Sequence, residues 1–269
     1  MSGRCARYSP ARMPEQLLAG TAQRGEGGAV GLRKIAIVPA LNEERSIAAV
    51  IAEIRAADPG FEVVVIDDGS TDRTAARAAE QGAHVLRLPF NLGIGGAVQT
   101  GLQYAREHDF GIAVQIDADG QHDPTQLPQL LGPLVAGEAD VVVGSRFLGE
   151  RNYKAPFARR VGIRLFAAIV SAVVGQPLTD TSSSFRAYGR RAIAYFARDY
   201  PHGFVESVEA TVIASRCGLR LKEVPVVMRQ RLMGQSSLTL PLSIYYSIKV
   251  LVAVFVGIFR RSAYELKEE

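Results

Sequence analysis

An α/β fold built on a mostly parallel sheet is the architecture that the sequence predicts, because short apolar runs alternate with segments of helical periodicity from residue 34 onward. Clusters of acidic residues, Asn and Gly follow the ends of successive apolar runs. In a parallel sheet these ends meet at one edge, where ligands bind. With 269 residues, 48% of them hydrophobic, the chain is long enough for one sizeable domain and an appendage.

The predicted elements follow one another in a regular order. Residues 35–39 form a short apolar strand, and a helical pattern runs on from the turn at 42–44 to residue 57. The later elements are a strand at 62–66, a helix at 71–81, a strand at 84–88, a helix at 95–107 and a strand that ends at Asp117. This βαβ rhythm is typical of a doubly wound, Rossmann-like sheet flanked by helices.

The most informative stretch is residues 112–122, because a buried apolar strand ends there in Asp117 and Asp119. On an extended chain, side chains two residues apart point to the same side, so these carboxylates are predicted to converge. They repel each other unless a cation lies between them; Mg²⁺ or Mn²⁺ supplies that charge, with Gln121 as a further oxygen ligand. Mg²⁺ is usually shared with substrate phosphates, so a nucleotide diphosphate is the expected companion. The alternative is a turn that only caps the helix starting near Pro124.

Three further polar loops follow predicted strands and are expected at the same edge. Their sequences are Pro39-Ala40-Leu41-Asn42-Glu43-Glu44, Asp67-Asp68-Gly69-Ser70-Thr71-Asp72 and Asn91-Leu92-Gly93-Ile94-Gly95-Gly96-Ala97. A single loop of this kind also serves as a helix cap or as a glycine turn. Four such loops at one edge of a sheet favour a nucleotide pocket.

Other phosphate and nucleic-acid sites are excluded by spacing and charge. Gly93-x-Gly95 begins like a dinucleotide fingerprint, but the third glycine should stand at Val98, and no G-x-x-x-x-G-K-[ST] loop occurs. No glycine-rich loop of the nucleotidyltransferase kind follows the first strand. The net charge of +4 comes largely from the first 33 residues, and the chain has no Trp, so nucleic acid is not an expected partner.

The N-terminal segment differs in composition from the predicted domain. Residues 1–33 are rich in Gly, Arg, Ala and Pro, have no apolar core of the kind a signal peptide needs, and are predicted to be a disordered leader. The two cysteines, Cys5 and Cys217, fall in that leader and in a predicted helix. A disulfide is therefore not expected, and a reducing cytoplasm fits this cysteine usage.

The ordered set of motifs resembles family 2 glycosyltransferases with the GT-A fold, and within them the dolichyl- or polyprenyl-phosphate mannose synthase group. Besides the four loops, the resemblance rests on Gly144-Ser145-Arg146, Asp180-Thr181-Ser182-Ser183-Ser184-Phe185-Arg186-Ala187 and Arg231-Leu232-Met233-Gly234-Gln235-Ser236. It covers residues 34–238, which are the predicted glycosyltransferase domain. One position departs from the family pattern, since Ser184 stands where glycine is usual before Phe-Arg.

The resemblance implies a role for each matching residue. The nucleotide sugar is expected to contact Pro39, Leu41, Asn42, Glu43, Asp67, Asp68, Asn91, Gly95, Asp117 and Ala118. The metal, Mg²⁺ or Mn²⁺, is expected on Asp117, Asp119 and Gln121. Catalysis is assigned to Asp119 and Arg146, and binding of the acceptor phosphate to Arg146, Ser183, Arg186, Arg231 and Ser236. Glu206 and Glu209 are added as catalytic candidates from the residues themselves, outside the matching motifs. The implied reaction is an inverting displacement at the anomeric carbon of a nucleotide sugar such as GDP-mannose or UDP-glucose.

The residues do not decide whether the sugar acceptor is a lipid phosphate or a sugar hydroxyl. A lipid phosphate is already ionised near neutral pH and needs cationic side chains to hold it, for which the candidates are Arg146, Lys154, Arg159, Arg160, Arg229 and Arg231. A sugar hydroxyl instead needs a carboxylate base, for which the candidates are Glu206 and Glu209. An ordinary solvated surface is the alternative for each of these residues.

The C-terminal part favours the lipid. Residues 239–269 contain an apolar stretch, 241–259, with Lys249 near its middle. As a helix, its nineteen residues would span about 28 Å, just short of a hydrocarbon core of about 30 Å. We therefore expect a helix that associates with the membrane surface or packs on a small integral membrane partner, together with the apolar helical segment 157–174. A helix packed on the domain's own core is the alternative.

The predicted function is transfer of a hexose, mannose or glucose, to a polyprenyl or dolichyl phosphate at the cytoplasmic face of the cell membrane. Transfer to a hydroxyl of a cell-envelope glycan or glycolipid is the nearest alternative. A non-catalytic domain that binds nucleotide sugar beside a membrane partner is the more remote one, because the carboxylate pair is intact.

Overall fold

The computed structural model describes residues 32–149, 157–202 and 206–229, without the side chains of 157–165. Within these residues the strands are β1 (Lys34–Ala40), β2 (Phe61–Asp67), β3 (His84–Arg87), β4 (Ile112–Gln115), β5 (Val141–Ser145), β6 (Arg186–Gly189) and β7 (Leu221–Pro225). The helices are α1 (Ile47–Ala57), α2 (Thr74–Glu80), α3 (Gly93–Glu107), α4 (Leu127–Val135), α5 (Phe157–Val174), α6 (Arg190–Phe196) and α7 (Glu206–Arg216). A short 3₁₀ helix at Pro124–Gln126 leads into α4.

The described strands form one seven-stranded sheet in the order β3-β2-β1-β4-β6-β5-β7. Strands β3, β2, β1 and β4 pair in parallel, as do β5 and β7, and among the described strands only β6 runs antiparallel to its neighbours. The prediction of a mostly parallel α/β sheet is therefore confirmed. As a consequence, the carboxyl ends of the parallel strands and the amino end of β6 lie at one edge of the sheet, which we call the carboxyl edge.

Alternation along the strands places a layer of helices on each face of the sheet. In β1, Ala36 and Val38 belong to the apolar cluster that includes residues of α1 and α4. Ile35 and Ile37 belong to the cluster that includes residues of α3, α6 and α7. Both faces are thus covered, and the carboxyl edge is the place where polar loops gather.

Two predicted helices have different boundaries in the structure. The helix predicted at 71–81 is Thr74–Glu80, because the Asp72 carboxylate accepts the amide hydrogen of the first helical residue and holds the chain before it in a loop. The helix predicted from residue 95 begins at Gly93, because the Asp68 carboxylate accepts amide hydrogens at the start of α3. In both cases a carboxylate next to the loop decides where the helix begins.

Two predicted segments fall outside the described residues. They are the leader 1–33, apart from its last two residues, and the membrane-associating segment 239–269. The helix predicted at 157–174 is present as α5. Over the ranges that the structure describes, no helix combines the length and the apolar character needed to cross a membrane.

Gly101 in α3 packs tightly on β1, where an added Cβ would lie 2.3 Å from Ile37 Cγ2. We predict that Gly101→Val lowers the free energy of unfolding by about 1–3 kcal/mol through overpacking, measured as a lower urea midpoint. Gly132→Ala in α4 is the matched control, because a Cβ there meets no described atom within 4 Å. The control should be neutral or stabilising by about 0.5–1 kcal/mol. Equal stability of Gly101→Val and wild type would contradict this packing.

Candidate active site

The loop that follows β4, residues 116–122, carries both predicted metal-binding carboxylates, and we call it the acidic loop. The strand ends at Gln115 and the chain turns before Asp119, so Asp117 and Asp119 do not share one face of an extended strand as the sequence predicted. Instead, Asp119 Oδ1 accepts the amide hydrogen of Gln121 at an N–O distance of 3.0 Å within a tight turn. The turn rather than the strand therefore sets the directions of the two carboxylates.

His122 is buried inside the acidic loop, and its ring is fixed in one orientation. Its Nδ1 accepts a hydrogen bond from the Asp117 amide at 3.0 Å, so the ring proton of the neutral form is on Nε2. The ring stacks on Phe185, with centroids 4.6 Å apart. Burial lowers the pKa of His122, against the opposing charges of Asp117 and Asp119, and so favours the neutral ring. The charges of Asp117 and Asp119 both act on the His122 ring, so both carboxylates lie near it.

The Asp117 carboxylate has one oxygen engaged within the protein. Its Oδ2 accepts a hydrogen bond from the Ser184 hydroxyl at 2.6 Å. Its Oδ1 is buried and has no hydrogen-bond partner among the described residues. A buried carboxylate oxygen of this kind is costly unless a cation or a donor meets it. Asp117 therefore fits a hard divalent cation, with Asp119 as the second carboxylate.

The donor set also fits a metal that is shared with a substrate. Within the described ranges, no group of three or more His, Cys, Asp or Glu side chains could hold a metal by itself. Mg²⁺ is usually held by one or two carboxylates together with substrate phosphates and water, so two carboxylates are sufficient. Gln121, which is partly exposed, stays the predicted neutral ligand.

Arg146, directly after β5, is held in place by a buried carboxylate. Its Nε and Nη2 donate to the two oxygens of Asp180 at 2.6 and 2.8 Å. Asp180 is 0% exposed and is positioned by Glu223, which accepts the amide hydrogens of Thr179 and Asp180, both at 2.7 Å. The Arg146 charge also acts on His122. The guanidinium thus stands beside the acidic loop in an orientation that a two-point ion pair fixes.

Arg186, predicted to bind the acceptor phosphate, lies in the interior. It is 1% exposed, and its Nε and Nη2 donate to the carbonyl oxygens of Ser183 and Thr181 at 2.7 and 3.1 Å. Ser183, the neighbouring candidate, is buried as well. The physical reason is that a guanidinium offers five donors, which satisfy main-chain carbonyls that water does not reach. In this structure Arg186 shapes the segment 181–184, which faces the acidic loop through Ser184.

Arg229, another candidate for the acceptor phosphate, is engaged with two carboxylates. Its Nη1 donates to Glu53 at 2.5 Å and its Nη2 donates to Asp123 at 2.7 Å. Its backbone amide donates to the carbonyl of Gln121 at 2.9 Å. Burial raises the pKa of Asp123, but hydrogen bonds from Thr125 and the charge of Arg229 bring that pKa below its ordinary value. The segment after β7 therefore fastens the acidic loop to α1.

Glu206, the first residue of α7, is buried rather than part of a solvated helix surface. Burial raises its pKa, the Ser207 hydroxyl and the Arg186 charge oppose that rise, and the negative charge of Asp117 adds to it. The carboxyl group is thus within electrostatic reach of the acidic loop and holds its proton more firmly than an exposed glutamate does. Glu209, one turn further along α7, is partly exposed.

The loops after β1 and β2 are fastened to each other at the carboxyl edge. The Asn42 amide donates to Ser70 Oγ, and Asn42 Oδ1 accepts the amide hydrogen of Thr71, both at 2.9 Å. Leu41 is 41% exposed beside these bonds, whereas Pro39 is buried. These contacts give the predicted nucleotide pocket a rigid wall.

Other predicted nucleotide-binding side chains also hold loops. Asp67 accepts from an amide of its own loop and from Arg87, both at 3.0 Å, and Asp68 accepts from the amides at the start of α3. Asn91 Oδ1 accepts the amide hydrogen of Gly93 at 2.8 Å. The acidic residues of the carboxyl edge therefore hold its loops in place by accepting hydrogen bonds. The predicted contacts of these residues with a nucleotide stay predictions.

The remaining residues that were predicted to contact the nucleotide sugar are tightly packed. Glu43 accepts a hydrogen bond from Ser46 Oγ at 2.6 Å. Gly95 lies against the main chain of Pro201, whose carbonyl oxygen would be 2.3 Å from an added Cβ. Ala118 is buried in the apolar cluster on one face of the sheet. A side chain at position 95 would therefore push α3 away from the segment before α7.

Some residues near the candidate site were not predicted from the sequence, and some predicted residues lie outside the described side chains. Asp180 and Glu223 were not assigned roles, although the polar motif at 180–184 signals a site there. Gln115 was also missed: it is 1% exposed, and neither side-chain nitrogen nor oxygen has a hydrogen-bond partner among the described residues. Its signal is a polar residue inside an apolar strand. The residues outside the described side chains are Lys154, Arg159, Arg160, Arg231 and Ser236, whose roles stay predictions.

Comparison with known proteins gives a family and relatives. Residues 35–196 match the model of glycosyl transferase family 2. The chain is 34% identical over 217 residues to the undecaprenyl-phosphate mannosyltransferase of Micrococcus luteus, an alignment that covers 77% of this chain and 88% of that protein. It is 29% identical over 219 residues to the polyprenol monophosphomannose synthase of Mycolicibacterium smegmatis, with coverages of 77% and 81%.

Solved structures with a similar fold include an enzyme crystallised with a metal and a nucleotide sugar. Glucosyl-3-phosphoglycerate synthase from Mycobacterium tuberculosis, in complex with Mn²⁺, UDP-glucose and phosphoglyceric acid, matches with a TM-score of 0.64 and 25% sequence identity. The match covers 87% of this chain and 82% of that one. A crystal structure of the same enzyme with phosphoglyceric acid matches with a TM-score of 0.65.

The raised pKa of Glu206 predicts how stability depends on pH. The folded protein holds this proton more tightly than the unfolded chain, whose glutamate has a pKa near 4.5, so wild-type stability falls as the pH rises above that value. Glu206→Gln carries no charge, so it should gain stability relative to wild type as the pH rises above about 4.5, measured as the difference in urea midpoint. The control Glu107→Gln changes an exposed residue at the end of α3 and should follow wild type. Parallel curves for Glu206→Gln and wild type would contradict the burial of a charged carboxylate.

Proposed function

Because this chain belongs to glycosyl transferase family 2, we propose that it transfers a hexose from a nucleotide-diphosphate sugar to a polyprenyl phosphate. It is a glycosyltransferase with the GT-A-like fold that its motifs predicted, a mostly parallel sheet between two layers of helices. The observation that carries the proposal is the buried, unpartnered Oδ1 of Asp117 among the described residues, at the carboxyl edge where the nucleotide loops meet. The names of two relatives, an undecaprenyl-phosphate mannosyltransferase and a polyprenol monophosphomannose synthase, support a lipid phosphate as acceptor.

The donor is proposed to be GDP-mannose or UDP-glucose. The mannosyl relatives favour mannose, and the UDP-glucose complex of the structural relative shows that this fold accommodates a uridine nucleotide and glucose. Asn42 and its partners after β2 hold the wall of the pocket, and Leu41 offers an exposed apolar surface beside them. A few side-chain contacts therefore decide the identity of the base.

The reaction is a displacement at the anomeric carbon, in which an acceptor oxygen forms a bond as the diphosphate departs. When bound at Asp117 and Asp119, Mg²⁺ or Mn²⁺ supplies positive charge for the departing diphosphate. The protein keeps Asp117 oriented through Ser184 and keeps the acidic loop in place through Arg229. These bonds lie within the protein and fix the orientation of the acidic loop, which reduces the reorganisation that the reaction requires.

An ionised lipid phosphate needs no protein base, only a cation that holds its oxygen near the donor. Among the described residues, Arg146 is the candidate for this cation. Its guanidinium is fixed by Asp180, and its charge acts on His122 in the acidic loop. Its Nη2 also donates to Ser182 Oγ at 2.8 Å, so an exposed hydroxyl stands beside it. We propose that Arg231 and Ser236 complete this acceptor site.

One observation favours a second acceptor class. The pKa of Glu206 is raised mainly by burial, and the negative charge of Asp117 adds to that rise. A carboxylate with these properties is suited to accept a proton from a sugar hydroxyl. Transfer to a hydroxyl of a cell-envelope glycan or glycolipid is therefore the second candidate function.

Membrane association is proposed for the C-terminal segment 239–269, whose apolar stretch 241–259 suits a helix at the cytoplasmic face of the membrane. Such a helix would bring the carboxyl edge to the lipid acceptor. A small integral membrane partner is proposed to cover its apolar side, since Lys249 makes an unaided crossing costly.

We predict that Asp119→Asn lowers sugar transfer to lipid by at least about a hundredfold, because the metal loses one of its two carboxylates. The assay follows radiolabelled GDP- and UDP-sugars into organic-extractable, mild-acid-labile polyprenyl phosphate, with Mg²⁺ or Mn²⁺ present. Asp109→Asn is the matched control, since the side chain of Asp109 forms an exposed ion pair with Arg190 at the end of α3, and the acidic loop plays no part in that pair. Wild-type transfer by Asp119→Asn would overturn the proposed metal site. Nucleotide binding without any turnover by wild type would favour the non-catalytic alternative.

Glu206→Gln distinguishes the two acceptor classes. If the acceptor is a lipid phosphate, no base is needed, and the variant should transfer sugar to polyprenyl phosphate at close to the wild-type rate. If the acceptor is a hydroxyl, the loss of the base should lower transfer by about 10²–10⁴-fold. The measurement is the initial rate with each acceptor at saturating donor. A large loss on polyprenyl phosphate would contradict the proposal as stated.

A further inference from the structure

The Ser184 hydroxyl joins the two parts of the site that come from different strands. Ser184 lies just before β6, and Asp117 lies just after β4, 67 positions earlier in the chain. The Ser184 Oγ donates to Asp117 Oδ2 at 2.6 Å, a short distance typical of a hydrogen bond to an ionised oxygen. This contact is independent of the backbone pairing of β4 with β6, which covers Ile112–Gln115 and Arg186–Gly189.

The direction of this hydrogen bond is set by His122. Because His122 Nδ1 accepts the amide hydrogen of Asp117, the ring presents its proton on Nε2. That Nε2 is 3.3 Å from Ser184 Oγ, so the hydroxyl accepts there and turns its own single proton to Asp117. The ring is held by stacking on Phe185, the neighbour of Ser184. The Asp117 amide, His122, Ser184 and the Asp117 carboxylate thus form a closed ring of hydrogen bonds.

The closed ring of hydrogen bonds leaves the two carboxylate oxygens of Asp117 in different states. Oδ2 is occupied by the serine hydroxyl, and Oδ1 is buried without a hydrogen-bond partner in the described part of the chain. Without Ser184, rotation about the bond to the carboxylate group would let either oxygen turn toward a cation. With it, Oδ2 is engaged by the serine, and Oδ1 is the oxygen left unengaged within the described residues.

We propose that Ser184 is a positioning residue that makes Asp117 a one-oxygen metal ligand through Oδ1, with His122 setting the direction of the serine proton. The proposal rests on the proposed function, because it requires that the acidic loop binds a divalent cation. It differs from that function in a testable way, since it assigns part of the metal affinity to a residue that touches no metal. Outer hydrogen bonds to a ligating side chain typically change metal affinity by about 10–100-fold.

The test measures the Mn²⁺ affinity of the full-length protein with UDP or GDP at a fixed saturating concentration, because the metal is proposed to be shared with the diphosphate. The free-Mn²⁺ signal in electron paramagnetic resonance reports binding, after subtraction of the Mn²⁺ that the nucleotide binds without protein. Ser184→Ala should raise the Kd for Mn²⁺ by at least about tenfold, because the carboxylate loses its fixed orientation. Ser184→Thr keeps the hydroxyl and should stay close to wild type. Ser215→Ala is the matched control, since Ser215 Oγ donates only to the carbonyl of Val174 at 3.0 Å, and its Kd should not change.

A second readout separates positioning from a general structural role. In the transfer assay, Ser184→Ala should need more Mn²⁺ for half-maximal rate but recover most of the wild-type kcat at saturating Mn²⁺. Unchanged Mn²⁺ affinity in Ser184→Ala, or an equal loss in Ser184→Thr, would overturn the role of Ser184 and leave the proposed function intact. Failure of wild type itself to bind Mn²⁺ beyond the nucleotide background, with UDP or GDP present, would overturn the proposed metal site and this inference with it.

Discussion

Two negative charges at the end of a buried strand are the constraint on which the site depends. Asp117 and Asp119 follow β4, which lies between β1 and β6 in the interior of the sheet. Taking a carboxylate out of water is expensive unless it is paired or hydrogen-bonded. Three described arginines near the acidic loop are already bonded to other acceptors: Arg146, Arg186 and Arg229. We propose that a divalent cation shared with a diphosphate balances the pair, which would account for the Asp117 oxygen that is left unsatisfied within the described residues.

Hydrogen bonds and ion pairs from the surrounding structure hold the acidic loop in place. Arg229 links the acidic loop to α1, and Ser184 links it to the segment before β6. Within the loop, His122 Nδ1 accepts the amide hydrogen of Asp117. On the nucleotide side, the loops after β1 and β2 are joined through Asn42. Each of these ties uses a polar side chain at the carboxyl edge, so the topology of the sheet brings distant parts of the chain to one place. Preorganisation of this kind favours the transition state because the protein groups do not have to reorient.

The sheet and the location of the site were predictable from the sequence, because they depend on periodicity and on the residues that follow apolar runs. The acidic loop itself was placed correctly but for an incomplete reason: the sequence predicted convergence on an extended strand, and the structure forms a turn in which Asp119 accepts the Gln121 amide. Partners far apart in the chain were not predictable. The pairing of Arg146 with Asp180 and the burial of Arg186 and Glu206 depend on which loops meet in space, and no local pattern encodes that meeting.

The most direct test of the account is a crystal structure of the protein grown with Mn²⁺ and UDP or GDP, with the metal located by anomalous scattering at the manganese edge. The account predicts one manganese peak at the carboxyl edge of the sheet, within coordination distance of Asp117 Oδ1 and an Asp119 oxygen, and bridged to the nucleotide diphosphate. Asp117 Oδ2 should keep its hydrogen bond to Ser184. A nucleotide bound at that edge with no manganese peak on Asp117 or Asp119 would contradict the account.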